Sequence, residues 1–249
     1  MIVIKSPAEI EKIAAACRIV AEVLDGLRSQ VKPGASTADL ESYADNQIRR
    51  KKAIPAFRGY RGYPASMCVS VNNQVVHGIP SRHTHLRNGD IVSIDLGVLC
   101  DGFYGDAAVT LPVGEVSEDA AKLMRVTEES LMLGIEKAVP GNRVSDISSA
   151  VQRHVESHSF SVVRAFVGHG IGRSLHEDPQ VPNFGAPGQG SRLRAGMTLA
   201  IEPMVNGGGP DVTILDDGWT AVTSDGSLSA HFEHTVAVTK NGPLILTKI

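Results

Sequence analysis

The sequence is short of cysteine and has no excess of basic residues. Its 249 residues include three cysteines, Cys17, Cys68 and Cys100, and no two of them form a C-x-x-C pair. Neither a disulfide framework nor a cysteine-based zinc site is indicated, so we expect a reduced, cytoplasmic compartment. Lys and Arg number 24 against 27 Asp and Glu, which gives a net charge of −3. This balance excludes a strongly basic nucleic-acid-binding protein and any global attraction to anionic membranes.

Long apolar runs are missing as well. The longest apolar stretches span only a few residues, far short of the roughly 20 that a membrane helix needs. Residues 1–7 lack the basic segment, the apolar segment and the cleavage site of a signal peptide. Hydrophobic residues make up 42% and charged residues 20% of the chain. That composition is typical of a globular protein and excludes a disordered one.

The chain repeats itself at one constant offset in residue number, the distance from Pro33 to Pro140. Each half begins with two amphipathic helices; the first follows the capping box Ser6-Pro7-Ala8-Glu9. Three pairs of segments match at the same offset: Pro33-Gly34 with Pro140-Gly141, Asp39-Leu40 with Asp146-Ile147, and Arg87-x-Gly89-x-x-x-x-Ile94-Asp95 with Arg194-x-Gly196-x-x-x-x-Ile201-Glu202. We therefore predict a duplicated helix–helix–hairpin unit of the α/β (α+β) class. Its halves should form a single domain over residues 1–249 about a pseudo-twofold axis.

The strands of the first half contain acidic residues in apolar surroundings. Residues 91–99 and 103–111 read as two strands joined by the turn Asp101-Gly102. If Cys100 pairs with Phe103, Asp95 and Asp106 share one face of the hairpin as diagonal neighbours. Two carboxylates on one apolar face are costly unless a positive charge lies between them.

The second half repeats this pattern with glutamates and adds a histidine. Residues 197–204 form an apolar strand containing Glu202, and residues 230–238 form another containing Glu233. The offset relates Asp95 to Glu202, so the four acids can face each other across the axis. A further strand over residues 162–167 leads to His169, which has a glycine on either side. Four carboxylates and one imidazole suit two divalent ions such as Mn, Fe(II), Co or Zn, and such centres acidify a water for hydrolysis.

These motifs resemble those of the type I methionine aminopeptidases. Residues 166–179, Phe-Val-Gly-His-Gly-Ile-Gly-Arg-Ser-Leu-His-Glu-Asp-Pro, are similar to the signature of that family. His77-Gly78-Ile79-Pro80 and Ile201-Glu202-Pro203-Met204 also match, and the resemblance runs nearly from Ser6 to the end of the chain. It implies the pita-bread fold, a pseudo-symmetric antiparallel sheet with helices on its outer face.

The resemblance also implies roles for individual residues. His176 would hydrogen-bond the scissile carbonyl and the oxyanion, and His77 would contact the scissile amide. Glu202 would be both a metal ligand and the proton shuttle between the nucleophilic water and the leaving amine. Asn72 matches a position whose backbone helps to bind a monovalent cation. The five implied metal ligands are Asp95, Asp106, His169, Glu202 and Glu233.

A methionine pocket is implied in the same way. Many relatives have Phe where this chain has Leu175, so one wall of the pocket departs from the family pattern. Aromatic rings and a thiol suit a thioether side chain, because sulfur packs well on aromatic faces. The positions that match pocket-lining residues are Tyr60, Tyr63, Cys68, Met204 and Trp219.

The expected activity is removal of the initiator methionine from nascent chains whose second residue is small. The expected partners are N-terminal methionine peptides, and we expect a monomer with no membrane and no specific nucleic acid. The basic run Arg49-Arg50-Lys51-Lys52 is most simply a solvated helix end, where cations suit the helix dipole. A transient ribosome contact through this run is the alternative hypothesis.

Three other functions are weighed against this one. Proline-directed peptidases share the five ligands but have a large N-terminal domain, and the first helix here already begins at Ser6. Type II methionine aminopeptidases have a long insertion between the last two ligands, and the short segment between Glu202 and Glu233 leaves no space for one. Catalytically inactive binding modules with this fold have lost their metal ligands, and all five matching residues are present here.

Overall fold

The computed structural model describes residues 1–248. Ile249, the last residue of the predicted domain, lies outside the described residues. The four α-helices are α1 (Pro7–Arg28), α2 (Thr37–Arg50), α3 (Glu118–Ile135) and α4 (Val144–Ser157), and a short 3₁₀ turn covers Tyr60–Gly62. Within residues 1–248, no helix is both long enough and apolar enough to cross a bilayer.

Fifteen short strands make up the rest of the regular structure, and every strand pair among residues 1–248 is antiparallel. The strands are β1 (Ile54–Pro55), β2 (Cys68–Val71), β3 (Gln74–Val76), β4 (Ile91–Cys100), β5 (Phe103–Pro112), β6 (Ser161–Val162), β7 (Gly168–Gly170), β8 (Glu177–Val181), β9 (Thr198–Ile201), β10 (Met204–Asn206), β11 (Val212–Ile214), β12 (Ala221–Thr223), β13 (Ser229–His231), β14 (His234–Thr239) and β15 (Gly242–Ile245).

Local sequence signals determine where the helices begin. Ser6 caps α1 in a capping box with Glu9, as predicted, and Pro7 occupies the first helical position. Ser36 caps α2 in the same way with Asp39. The apolar stripe of each helix faces the core, so packing rather than propensity supplies most of its stability.

The predicted repeat is confirmed element by element. The offset found in the sequence relates α2 to α4 and β1 to β6 residue for residue, and it aligns the last residues of α1 and α3. The isolated bridge between Ser36 and His85 has its counterpart at the same offset between Arg143 and Arg192. The two halves share one hydrophobic core, to which residues from both contribute, among them Leu27, Ile94, Leu131 and Leu199.

The first hairpin has the predicted register and turns its acids away from the helices. Cys100 pairs with Phe103 and Gly97 with Asp106. An added Cβ at Gly105 would lie 2.6 Å from the backbone of Cys17 in α1, so this face of β5 contacts the helix directly. Side chains alternate along a strand, so Asp106 points to the opposite, inner face. The helices thus lie outside the sheets, as the pita-bread prediction requires.

The corresponding region of the second half differs from the prediction. The predicted strand over 197–204 is broken at Glu202-Pro203 into β9 and β10, and the one over 230–238 is broken at Phe232-Glu233 into β13 and β14. Pro203 has no N–H to donate to a ladder. Each break also lets the chain change sheets, because β9 pairs with β14 whereas β10 pairs with β13.

The predicted strand over residues 162–167 is wrong for the same reason. Only its first residue, Val162, belongs to a strand, and the ladder resumes at Gly168 in β7. β6 pairs with β10 and β7 pairs with β9, so the intervening segment crosses from one sheet to another. His169 therefore lies within a short strand of its own.

Candidate metal centre and substrate cavity

Four carboxylates reach one cavity from the two halves of the chain. Asp95 and Asp106 lie on β4 and β5. Glu202 and Glu233 lie in the two strand breaks described above. The Glu233 N–H donates to the carbonyl of Ala108 at 2.9 Å, which joins the second break to the first hairpin. All four acidic side chains line a cavity of about 140 Å³.

His169 brings an imidazole to the same place. It lies between two glycines, at each of which an added Cβ would meet a backbone carbonyl oxygen within 2.4 Å. Its Nδ1 donates to the carbonyl of Gly170 at 2.9 Å, which leaves Nε2 unprotonated in the neutral ring and 3.5 Å from Oε1 of Glu202. Asp106, His169 and Glu233 each offer one ligand atom, and these three atoms lie within 4.8 Å of one another.

Burial controls the protonation of these groups. It raises the pKa of Asp95 to about 7, and burial together with repulsion from the other carboxylates raises the pKa values of Asp106, Glu202 and Glu233 well above their usual range. Burial lowers the pKa of His169 to about 4, so its imidazole is neutral near pH 7. One buried oxygen each of Asp95, Asp106 and Glu233 has no hydrogen-bond partner among residues 1–248.

This donor set fits divalent metal ions. It offers carboxylate oxygens and a neutral imidazole nitrogen without a thiolate, which suits hard and borderline cations. A cation among these groups would bind the unpartnered oxygens and cancel the repulsion between the acids. Without a cation, several buried acids without partners would be costly to keep ionised.

His176 lines the cavity outside this donor set, next to Tyr60. Its Nδ1 lies 2.8 Å from the Tyr60 hydroxyl, and the two rings stack with centroids 5.1 Å apart. Its ring centroid is 4.1 Å from that of His169. Partial burial and, to a smaller extent, the nearby charge of Arg61 lower the pKa of His176 to about 3, so it is neutral near pH 7.

His77 also lines the cavity and has a left-handed backbone, with φ 61°. It is followed by Gly78, where an added Cβ would lie 2.3 Å from the carbonyl oxygen of Val69. Its ring centroid is 5.3 Å from that of Phe166 and 6.3 Å from that of Trp219. This combination of a strained backbone and ring contacts holds the imidazole in one position.

The remaining wall of the cavity is apolar and aromatic. Tyr63 and Trp219 meet edge to face with centroids 5.2 Å apart, and Cys68 and Leu175 are buried beside them. Tyr60 packs against the same cluster. The structure thus brings together four of the five residues predicted for the methionine pocket.

Met204 is the fifth, and the structure does not place it on the cavity wall. The strand break at Pro203 puts it in β10, where its side chain is fully buried. It packs with Val75 and Val163 in a neighbouring cluster, against which the partly buried Phe166 also lies. Met204 therefore lies behind the cavity wall, whereas the sequence predicted it in the wall.

Two cavity residues and one neighbour of the site had no role assigned from the sequence. Phe57 lines the cavity and packs against Gly97, where an added Cβ would lie 2.5 Å from its ring. The glycine within strand β4 was the signal in the sequence that another group approaches the strand closely there. Arg61 also lines the cavity, and no pattern in the sequence marks it. His231 is buried, and its Nε2 lies 4.0 Å from Oε2 of Glu202 without a hydrogen-bond partner among residues 1–248. Its position two residues before Glu233 was the signal in the sequence.

A larger groove of about 950 Å³ lies outside this site, between α1 and α3. Several of its charged side chains pair with one another, as Arg28 does with Asp25 at 3.8 Å and Arg125 with Glu129 at 3.7 Å. Glu233 is the only predicted ligand among the described residues that also lines it. The chemistry therefore belongs to the smaller cavity.

Asn72 lies apart from the cavity, between β2 and β3. Its backbone is left-handed, with φ 57°. Its carbonyl accepts from the N–H of Ser229 at 2.9 Å, and its N–H donates to the carbonyl of Ile91 at 2.9 Å. The predicted monovalent cation at this backbone stays a prediction.

Comparison with known proteins gives a consistent result. Residues 11–240 match the model of metallopeptidase family M24. A methionine aminopeptidase of Clostridium perfringens is 56% identical over 249 residues, covering 100% of both chains. The crystal structure of a methionine aminopeptidase from Thermotoga maritima is 51% identical and superimposes over 100% of both chains with a TM-score of 0.99.

A solved structure of lower sequence identity has the same fold. A prolidase from Pyrococcus furiosus is 23% identical, and the alignment covers 99% of this chain and 66% of that one, with a TM-score of 0.81. At this identity the likeness concerns the fold alone. The full-length relatives decide the assignment: the chain belongs to metallopeptidase family M24 and, within it, to the methionine aminopeptidases.

Proposed function

We propose that this protein removes the N-terminal methionine from nascent chains whose second residue is small. The observation that carries the proposal is one cavity lined by the five predicted ligands, the two predicted histidines and an apolar pocket. We further propose that it acts in the cytoplasm as a monomer and that residues 1–249 form one catalytic domain. The shared core of the two halves supports the last point.

Membership of a metallopeptidase family implies a divalent metal. We assign two ions, of Mn, Fe(II), Co or Zn, to the ligands Asp95, Asp106, His169, Glu202 and Glu233. When bound, such ions act as Lewis acids and make a water acidic enough to react near neutral pH. The Asn72 backbone is proposed to bind a monovalent cation separately.

The chain's own residues then supply the proton transfers and the orientation. Glu202 takes the proton of the attacking water and delivers it to the leaving amine, the role of a positioned acid–base group. His176 is neutral, and a Tyr60 hydroxyl donating to its Nδ1 leaves the proton on Nε2. That N–H is then available to donate to the developing oxyanion. His77 contacts the scissile amide.

The pocket explains the substrate class. Tyr63, Trp219 and Cys68 surround a small space that accepts an unbranched thioether, since sulfur packs favourably against aromatic rings. The cavity is only about 140 Å³ in total. A bulky second side chain would clash with its rim, so a small second residue is required.

We also propose a transient contact with the ribosome. In the run of residues 49–52, Arg49 pairs with Asp45 at 2.6 Å and Lys51 pairs with Glu22. Arg50 and Lys52 form no ion pair with the described residues and remain exposed. These two cations are the ones we assign to a transient contact with ribosomal RNA.

Peptide hydrolysis tests the proposed function. We expect the metal-loaded enzyme to release free methionine from Met-Ala-Ser and not from Met-Leu-Ser, and to leave the proline substrate Ala-Pro intact. A Glu202→Gln preparation is the control for contaminating peptidases, because an amide cannot accept the water's proton; it should lose about 10²–10⁴ in rate. Equal turnover of the two methionine peptides would contradict the proposal, and so would cleavage of Ala-Pro.

A further inference from the structure

Arg61 lies at the exposed rim of the cavity and has an unusual backbone. It is the middle residue of the 3₁₀ turn Tyr60–Gly62, and its φ of 51° and ψ of 21° are left-handed. Gly59, which precedes the turn, and Gly62, which ends it, also have positive φ values. A long, charged side chain is rare at such a backbone position and persists where surrounding structure imposes it, often at functional sites.

The guanidinium of Arg61 has no anionic partner among residues 1–248. No carboxylate of residues 1–248 lies within 4.0 Å of it, and it donates no side-chain hydrogen bond to them. Its guanidinium carbon lies 5.4 Å from the centroid of the Tyr60 ring. Arg58, three residues earlier, differs: it binds Glu41 at 2.9 Å and Ser66 at 2.8 Å.

The direction of the bound peptide follows from the burial of the cavity wall. Tyr63 and Cys68 are buried at 4% and 3% exposure, so they form the closed end that receives the methionine side chain. His176 and Arg61 are exposed and form part of the open rim. A peptide whose first residue fills the closed end must leave past this rim. Its second residue lies at the reacting groups, and its third residue comes next.

We propose that Arg61 forms a subsite for a carboxylate on the third residue of the substrate. The subsite makes the enzyme favour acidic N-termini of the form Met-small-Asp or Met-small-Glu. An unpaired cation at the mouth of a cavity attracts anions and pairs with a carboxylate in a fork-like geometry. This inference rests on the proposed function, because it concerns the substrate of that same site.

Isosteric peptides test the subsite. The substrates are the amide-capped tripeptides Met-Ala-Asp and Met-Ala-Asn, which differ only in the charge of the third residue, and Met-Ala-Lys, which carries the opposite charge there. For the unmodified enzyme at low salt, we expect kcat/KM to be about 2- to 5-fold higher for Asp than for Asn, the range of an exposed ion pair. The Asp-to-Asn ratio should approach 1 in about 0.5 M NaCl, because salt screens exposed charges.

Variants of Arg61 make the test specific. Arg61→Gln should bring the Asp-to-Asn ratio close to 1, and Arg61→Glu should reverse the order so that Lys becomes preferred over Asp. Arg18→Glu is the matched control: it makes the same charge change at an exposed residue of α1 that does not line the cavity. This control should keep the ratio of the unmodified enzyme.

The outcomes separate this inference from the proposed function. If Met-Ala-Asn releases no methionine, the proposed function fails. If all three peptides are cleaved with equal kcat/KM, or if Arg61→Gln keeps the preference for Asp, only the subsite is overturned. A preference that Arg18→Glu also removes would show an effect of net charge and would likewise overturn it.

Discussion

At the scale of single residues, three imidazoles line one cavity, and two of them differ sharply in their surroundings. His169 is buried, and its Nδ1 is bound to a backbone carbonyl, so its Nε2 faces the acids. His176 is exposed, and its Nδ1 contacts the Tyr60 hydroxyl. A metal ligand contributes already in the resting enzyme, whereas an oxyanion donor contributes mainly as charge develops in the transition state.

This difference predicts opposite behaviour of two alanine variants. His169→Ala should bind metal more weakly, and high metal concentrations should partly restore its activity. His176→Ala should keep its metal and lose about 10²–10³ in kcat, with a smaller change in KM, because one oxyanion donor is removed. Calorimetric metal titration together with steady-state kinetics measures both effects. Loss of metal by His176→Ala but not by His169→Ala would show that the two roles are assigned the wrong way round.

At the scale of elements, the cap of α2 ties the helix to a loop of the same half. The Ser36 hydroxyl accepts from the N–H of Asp39 at 3.2 Å, and the Asp39 carboxylate accepts from the Ser36 N–H at 3.0 Å. The Ser36 hydroxyl also donates to the Asp39 carboxylate at 2.7 Å, and this bond together with the one from the Ser36 N–H lowers the pKa of Asp39. Ser36 also forms the bridge with His85, so this cap holds the start of the helix against the loop before β4.

Removing this cap should destabilise the fold without changing the chemistry. We expect Ser36→Ala to lower the free energy of unfolding by about 1 kcal/mol, the usual cost of losing an N-cap. Ser42→Ala is the matched control, since Ser42 lies exposed within the same helix and its hydroxyl donates to the carbonyl of Ala38. Denaturant unfolding of the metal-loaded proteins measures both variants, and kcat should be unchanged in both. Equal stability losses would indicate that the cap has no special role.

At the scale of the whole molecule, the proposed metal centre lies between the two halves. Its proposed ligands come from β4 and β5 of the first half and from β7 and the two strand breaks of the second. Burial, and after it the repulsion between the carboxylates across this junction, raises the pKa values of Asp106, Glu202 and Glu233. Cations bound between them would replace this repulsion by attraction in the folded state only.

Metal binding should therefore stabilise the fold. A ligand that binds only the folded protein adds about 2.7 kcal/mol when its free concentration is about 100 times Kd. For a chain of this size that corresponds to a rise in Tm of roughly 5–10 °C. Thermal unfolding with Mn²⁺ and after chelation measures it.

The double variant Asp106→Asn/Glu233→Gln is the control for this prediction. It should show almost no rise in Tm with Mn²⁺, because two ligands are lost. Its chelated form should be at least as stable as the chelated parent protein, because two repelling carboxylates are gone. An equal rise in both proteins would show that the metal stabilises the fold from another site.

The sequence by itself determined what depends on short-range patterns. The helix starts at Ser6 and Ser36 follow from local capping, and the register of the first hairpin follows from its two-residue turn at Asp101-Gly102. The constant offset between matching segments predicted the duplication, because equivalent segments fold alike. The acids and His169 were recognisable because charges in apolar strands require a partner.

Only the tertiary structure decided what depends on contacts between distant segments. Pro203 interrupts one ladder locally, but the change of sheet at Pro203 and at Glu233 exists because β10 and β13 pair in one sheet and β9 and β14 in another, which no local pattern encodes. The same long-range pairing moved Met204 behind the cavity wall. Arg61 became a candidate subsite only through its place at the rim, because an exposed arginine in a loop has no periodicity to mark it.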